Sequence, residues 1–226
     1  MIPKIVFQTS KNKNSYNAIE ALKHCPNYKY VHFDDNECVE FLKEHFIESH
    51  PNIIEGFNRL QGAHKGDLIR YAFLYINGGV YFDTDIHLTH DINDIISSYD
   101  FISVFTRKKE RKNYIPMIMN GFIACTAKHP ILLEALNNIY QMKFHKILQN
   151  FLIICHNFGI IIQKYVEEPL VHDRAIYNKN VKLLEDNHPL FASYCNITDI
   201  TLEQRVMYHK FDVLKSIPCE NVSDVS

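Results

Sequence analysis

The chain contains no tryptophan and no pair of cysteines spaced as CxxC. Its six cysteines, Cys25, Cys38, Cys125, Cys155, Cys195 and Cys219, are scattered. Zinc-site spacing is therefore absent, and no small disulfide framework is implied. Free thiols in a reducing compartment are the simpler expectation. Excess charge is missing too: 24 Lys and Arg against 26 Asp and Glu leave a formal net charge of −2. Taken over the whole chain, that balance points to neither nucleic acid nor an anionic membrane as the main partner. No apolar run is long enough to span a bilayer; residues 151–162 come closest, and His156 and Asn157 interrupt them. No charged leader precedes an apolar segment at the start, so no secretory signal is expected and the location is read as cytoplasmic. The sequons at Asn196 and Asn221 then carry no function. A P-loop, a GxGxxG turn and a Ser-His-Asp order are all missing. Asn, Ile, Lys and Tyr are abundant, a bias that an AT-rich coding sequence explains.

Hydrophobic residues make up 46% and charged residues 22% of the 226, enough apolar content to bury a core in one domain. No repeat or linker divides the chain, so residues 1–226 are read as a single domain. Residues 4–9 and 28–33 read as short strands. Ser15 is placed to cap a helix reaching residue 23, and Asp34-Asp35 to cap one over 37–46. Pro51 opens a helical stretch to residue 60. Residues 63–76 form a helix apolar nearly all round, hence buried, stopped by Asn77-Gly78-Gly79. Strands are expected at 80–83, 101–105 and 117–125, a charged loop at 107–112, and a helix from Pro130 to about 141. Beyond residue 165 the chain reads as less regular, with one short strand at 206–209. Strands alternating with helices argue for an α/β sandwich around a mostly parallel sheet.

Asp83-Thr84-Asp85 ends an apolar strand, at the edge where open α/β sheets bind ligands. If the chain stays extended there, alternation puts both carboxylates on one side, in reach of one hard cation such as Mn²⁺ or Mg²⁺. Such an ion, sharing its sphere with phosphate oxygens, would neutralise charge on a departing diphosphate. A D-x-D alone is common in turns. Its neighbours add weight. Asp67 and Arg70 lie at i and i+3 on the buried helix, where charges are costly unless paired or bound. They read either as a structural ion pair or as a pair aimed into the crevice of Asp83. Tyr81, two residues before Asp83, either lines that crevice or packs. His87 is a candidate third ligand by the same alternation.

The stretch Ala63-His64-Lys65-Gly66-Asp67-Leu68-Ile69-Arg70-Tyr71, followed by Tyr75-Ile76-Asn77-Gly78-Gly79-Val80-Tyr81-Phe82-Asp83-Thr84-Asp85, resembles the DXD-containing sugar-transferase region of family 32 glycosyltransferases. That family includes Golgi α-1,6-mannosyltransferases and bacterial capsule and lipooligosaccharide enzymes. It is similar to the glucosyltransferase domains of large clostridial toxins. The segment from Ile2 to Thr9 resembles the family's opening strand, which touches the nucleotide base. Phe33-Asp34-Asp35 resembles its W-D-D turn. Asn120, in Met119-Asn120-Gly121-Phe122-Ile123-Ala124, resembles the asparagine near the donor sugar. His209 resembles the C-terminal histidine that approaches the metal or the diphosphate. Three positions depart from the pattern. Phe7 stands where His is usual, Ser10 stands where an aromatic stacks on the base, and no Ser-Trp follows His209.

The resemblance implies a GT-A fold, a Rossmann-like α/β/α sandwich with additional helices. It implies a retaining hexosyltransferase that moves a hexose from a UDP- or GDP-sugar to a hydroxyl of a glycan or other acceptor. Asp83, Asp85 and His209 would hold Mn²⁺ or Mg²⁺, and Asp83, Asp85 and Arg70 would form the catalytic set. Phe7, Gln8, Thr9, Asp67, Arg70, Tyr81, Asp83, Thr84 and Asn120 would surround the donor. No protein base is expected, because a diphosphate oxygen takes the acceptor proton and the protein positions and stabilises charge. Two other readings stay open. One is an aspartate-nucleophile phosphatase, whose motif also begins strand-DxD but wants Thr or Val where His87 stands. The other is a catalytically inactive nucleotide-sugar-binding relative.

Overall fold

Short β-rich runs that are apolar on both sides need cover on both faces, and the centre of the sheet is built from them. The computed structural model describes residues 1–11, 18–106, 117–171, 176–177, 180–187, 194–199, 201–202 and 204–210. In it β1 (Ile5–Thr9) lies between β2 (Lys29–Phe33) and β3 (Gly79–Phe82), parallel to both. β6 (Met117–Cys125) runs antiparallel to β3, and β5 (Phe101–Thr106) antiparallel to β6. β8 (Val181–Asn187) continues parallel to β5. Five of these six strands therefore point one way, and β6 alone is reversed. The sheet goes on antiparallel through β9 (Tyr194–Asp199) and β10 (Gln204–Lys210) to β4 (Ile86–Leu88), with β7 (Ile176–Tyr177) also on β8.

Alternation along the central strands feeds two cores. Val6, Val80 and Phe82 join one, with residues of α1 (Ala18–Leu22) and α5 (Ile92–Ile96). Phe7 and Tyr81 join the other, with α2 (Asp35–Phe46), α3 (Ile53–Arg59), α4 (Gly62–Asn77), α6 (Pro130–Gln141), α7 (Phe144–Gln149) and α8 (Ile153–Tyr165). The expected α/β/α layering follows. Local signals set the helix ends. Asp34 caps α2 in a full capping box with Glu37, and Pro130 starts α6 where a missing N–H costs nothing. Gly78 ends α4 with φ 66°, and Gly79 follows at φ 105°. A Cβ on Gly79 would lie 2.7 Å from the Ile5 carbonyl oxygen, so only glycine lets β3 close on β1.

The region beyond residue 165 is more regular than its sequence predicts. It holds β7, β8, β9 and β10. The alternation that marks a strand is hidden in β8, where Lys182, Glu185 and Asp186 are buried among Val181, Leu183 and Leu184. Lys182 is neutralised there by Asp199 of β9. β4, α5, α7 and α8 are likewise additions. Ser15 and the 107–112 loop lie outside the described residues. Among the described residues no helix is long and apolar enough to cross a membrane.

Candidate active site

α4 carries two charges into the interior, where β3 and β6 meet it. Arg70 is 4% exposed and Asp67 7%. Arg70 Nη2 lies 3.2 Å from Asp83 Oδ1 and 3.5 Å from Asp67 Oδ1. Its Nη1 donates to the Asn120 carbonyl at 2.7 Å and to Asn120 Oδ1 at 3.3 Å, while Nε donates to the Gly66 carbonyl at 3.1 Å. The guanidinium also sits over the Tyr81 ring, 4.4 Å from its centroid. Burial opposes the Arg70 charge, but Asp83, Tyr81 and Asp67 outweigh it and hold the group above its ordinary pKa. Arg70 is thus a permanent cation. Burial pushes the Asp67 carboxyl up, against the pull of Arg70. Beneath them Asn120 Nδ2 donates to Asp67 Oδ1 at 2.8 Å and to Tyr71 Oη at 3.0 Å. Cys155 Sγ donates to Asn120 Oδ1 at 3.5 Å, and burial raises that thiol to about 12.

β3 stops at Phe82. The Ile86 N–H bonds the Asp83 carbonyl at 3.0 Å, so residues 83–86 form a tight turn. This corrects the extended-chain expectation: a turn, not strand alternation, brings Asp83 and Asp85 to one cleft. Asp83 is fixed from several sides. Tyr81 Oη donates to its Oδ1 at 2.6 Å, and its own N–H bonds the Gly121 carbonyl at 2.8 Å. A Cβ at position 121 would lie 2.6 Å from Asp83 Oδ2, so the glycine after Asn120 makes room for this carboxylate. The Asp83 side chain remains 37% exposed, and Asp85 is exposed.

The cleft measures about 600 Å³, within the range of small-molecule sites. The end of β1, the start of α2, part of α3, the first turn of α4 and the 83–85 turn enclose it. Lys65 of α4 reaches across to Asp35 of α2 at 2.7 Å and lies over the Phe57 ring at 4.9 Å. Lys11, Lys65 and Arg70 face the same cleft as Asp83 and Asp85. Its chemistry suits an anion that brings a cation.

Among the described residues no three His, Cys, Asp or Glu side chains cluster to hold a metal. Two carboxylates on an open cleft fit a hard ion whose other ligands are phosphate oxygens and water. His87 Nδ1 instead lies 3.8 Å from Glu20 of α1. The β10 register sets His209 opposite Ile86, next to Asp85 in sequence, and the His209 side chain lies outside the described residues.

Of the residues expected around a donor, Thr9, Arg70, Tyr81, Asp83 and Thr84 line the cleft. Asp67 and Asn120 lie in the buried network beneath it. Phe7 and Gln8 are corrections. Phe7 has no exposed surface and stacks on Phe73 with ring centroids 3.9 Å apart. Gln8 is buried on the opposite face, donating to the Phe82 carbonyl at 2.9 Å and accepting from Tyr30 Oη at 2.8 Å. β1 is a central strand, so both packed faces consume these side chains. Ser10 does line the cleft, with its Oγ 2.8 Å from His32 Nε2. Sequence reasoning missed the Lys65–Asp35 pair, Phe57, Tyr71 and the role of Gly121. Lys65, Tyr71 and Gly121 had a linear signal, as neighbours of Asp67, Arg70 and Asn120.

Residues 11–102 match the model of a glycosyltransferase sugar-binding region containing a DXD motif. The chain is 28% identical over 200 residues to mannosyl phosphorylinositol ceramide synthase SUR1 of Saccharomyces cerevisiae, covering 86% of this chain and 49% of that protein. It is 26% identical over 155 residues to inositol phosphoceramide mannosyltransferase 3 of Schizosaccharomyces pombe, covering 64% and 39% respectively. The chain thus spans about half or less of these relatives' length. Among solved structures it is similar to the PaToxG glycosyltransferase, with TM-score 0.50 and 16% identity, over 73% of this chain and 70% of that one. That likeness concerns the fold, and it bears out the GT-A type.

Proposed function

We propose, for a chain whose residues 11–102 belong to the family of DXD-containing glycosyltransferase sugar-binding regions, that it transfers a hexose from a nucleotide-diphosphate sugar to a hydroxyl acceptor. The relatives' names favour mannose as the hexose and an inositol phosphoceramide as the acceptor class; GDP- and UDP-sugars are the donors to test. The observation that carries this reading is the node in which Arg70 and Tyr81 hold one oxygen of Asp83 at the mouth of the cleft.

Asp83 and Asp85 would hold Mn²⁺ or Mg²⁺, with His209 on the adjoining strand as a third ligand. When bound, the ion supplies charge neutralisation for a departing diphosphate. The protein's own contribution is positioning and electrostatics. Arg70 orients Asp83 and presents a fixed positive charge. Asp67 and Asn120 lock Arg70 in place. Lys65 and Lys11 attract the anionic donor. Transfer with retention needs no protein base, because a diphosphate oxygen on the attacked face takes the acceptor proton.

The test is a panel of nucleotide-sugars with Mn²⁺ or Mg²⁺, read by released GDP or UDP. Turnover of at least one donor is expected. Asp83→Asn and Asp85→Asn should each lower it by roughly a hundredfold or more, the exposed Asp85 variant with an unchanged melting curve and the Asp83 variant folded with a lower melting temperature, because Arg70 loses a partner. The reading fails if no donor is turned over and Asp85→Asn leaves metal-dependent nucleotide binding unaltered. Hydrolysis of simple phosphomonoesters without a nucleotide-sugar would favour the phosphatase. Tight donor binding without transfer or hydrolysis would mark an inactive relative.

A further inference from the structure

The junction of α7 and α8 holds large apolar side chains out in water. Leu148 is 54% exposed, Phe151 55% and Leu152 36%. One exposed leucine is ordinary, but three such residues within five positions make a patch. The junction is held rather than loose. The Leu152 N–H bonds Asn150 Oδ1 at 3.1 Å and the Ile153 N–H bonds the Asn150 carbonyl at 3.1 Å. Ile147 and Ile154 anchor the turn in the core on either side. Residues between two buried anchors in a closed turn have to face outward.

Along this segment of the chain the charge is of one sign. No Asp or Glu occurs between Glu134 and Glu167, while Lys143, Lys146 and Lys164 do. Lys164 is paired with Glu134, whereas Lys143 and Lys146 are exposed beside the patch. The near-zero charge of the whole chain averages this asymmetry away. The patch also adjoins the cleft. His64, in the first turn of α4, donates from Nε2 to the Phe151 carbonyl at 3.3 Å, and its ring lies 5.0 Å from the Phe151 ring. Its neighbours Ala63 and Lys65 line the cleft.

We propose that the α7–α8 turn docks this protein on an anionic lipid surface. Leu148, Phe151 and Leu152 enter the headgroup boundary, and Lys143 and Lys146 meet lipid phosphates. Apolar tips beside Lys143 and Lys146, with the neighbouring Glu55 offset by Arg59, complement such a surface. The docked orientation sets the cleft mouth beside it, so hydroxyl acceptors carried by lipids come within reach; that last consequence rests on the proposed transferase function, while the docking does not.

The experiment is flotation of the full chain with vesicles of phosphatidylcholine alone or mixed with phosphatidylserine. Binding is expected to the mixed vesicles, to be weak on the neutral ones, and to fall with added salt. Phe151→Ser with Leu152→Ser should lower the bound fraction roughly tenfold, as should Lys143→Glu with Lys146→Glu. Both double variants should keep the wild-type melting temperature and the wild-type release of nucleotide from a soluble donor. No binding to anionic vesicles, or variants that bind like the wild type, would overturn the proposal. Self-association that needs Phe151, without vesicle binding, would make the patch a protein interface and overturn it too. Docking retained without any donor turnover would instead sink the transferase reading alone.

Discussion

Arg70 concentrates the chemistry of the site in one side chain. Its guanidinium joins the Gly66 and Asn120 carbonyls and the carboxylates of Asp67 and Asp83, four partners on two elements and a turn. Removing it leaves Asp67 buried with its charge uncompensated. Arg70→Ala is therefore expected to cost about 3 kcal/mol or more of stability, read from the urea midpoint, as well as turnover. Arg70→Lys should rescue little of either, because a single ammonium cannot address partners that a planar fork addresses from separate N–H groups. A wild-type midpoint for the alanine variant would show that Asp67 is accommodated without its partner.

At the scale of elements, the helix–Gly-Gly–strand unit is what presents the DXD turn. Both glycines are tight, and at Gly79 a Cβ would approach the Ile5 carbonyl oxygen to 2.7 Å at a φ of 105°. No rotamer relieves a clash with backbone, so Gly79→Ala should destabilise by roughly 2 kcal/mol or more and misplace Asp83. Gly56 in α3 is the contrast. A Cβ there meets nothing within 4 Å, and Gly56→Ala should be neutral or gain about 0.5 kcal/mol. Thermal melts of the two variants side by side would settle the comparison; equal shifts would mean that the close approach at Gly79 is not limiting.

For the whole molecule, the feature to explain is how a distant C-terminal strand returns to the site. β4 follows the DXD turn directly, yet its sheet partner is β10, reached through β8 and β9. The Lys182–Asp199 pair sits inside that extension, 2% and 0% exposed, with Lys182 also donating to the Ile95 carbonyl at 3.3 Å. Lys182→Met strands a buried carboxylate and is expected to cost about 3–5 kcal/mol, whereas adding Asp199→Leu should recover much of the loss. Denaturant curves of the single and double variants measure both. If the double variant is no better than the single one, the pair is needed for the architecture and not merely for charge balance.

The sequence alone determined the contiguous parts of this protein. α4, the glycine turn, β3 and the two carboxylates are consecutive, so local signals sufficed: an all-apolar helix, a glycine stop and an apolar strand. The strands up to β6, short β4 excepted, and the helix begun at Pro130 were legible for the same reason. Tertiary structure decided everything that depends on which neighbour covers a face. It sent Phe7 and Gln8 into two cores, because β1 is flanked on both edges and packed on both sides. It turned Asp67 and Asn120 inward onto Arg70 rather than into the open cleft. It replaced strand alternation at Asp83 and Asp85 with a turn. It also hid β8, where a long-range partner makes a buried lysine tolerable and erases the pattern from which a strand is read. Periodicity reports local chain geometry; burial of a charge is permitted or forbidden by a residue far away in the chain, and no linear pattern carries that information.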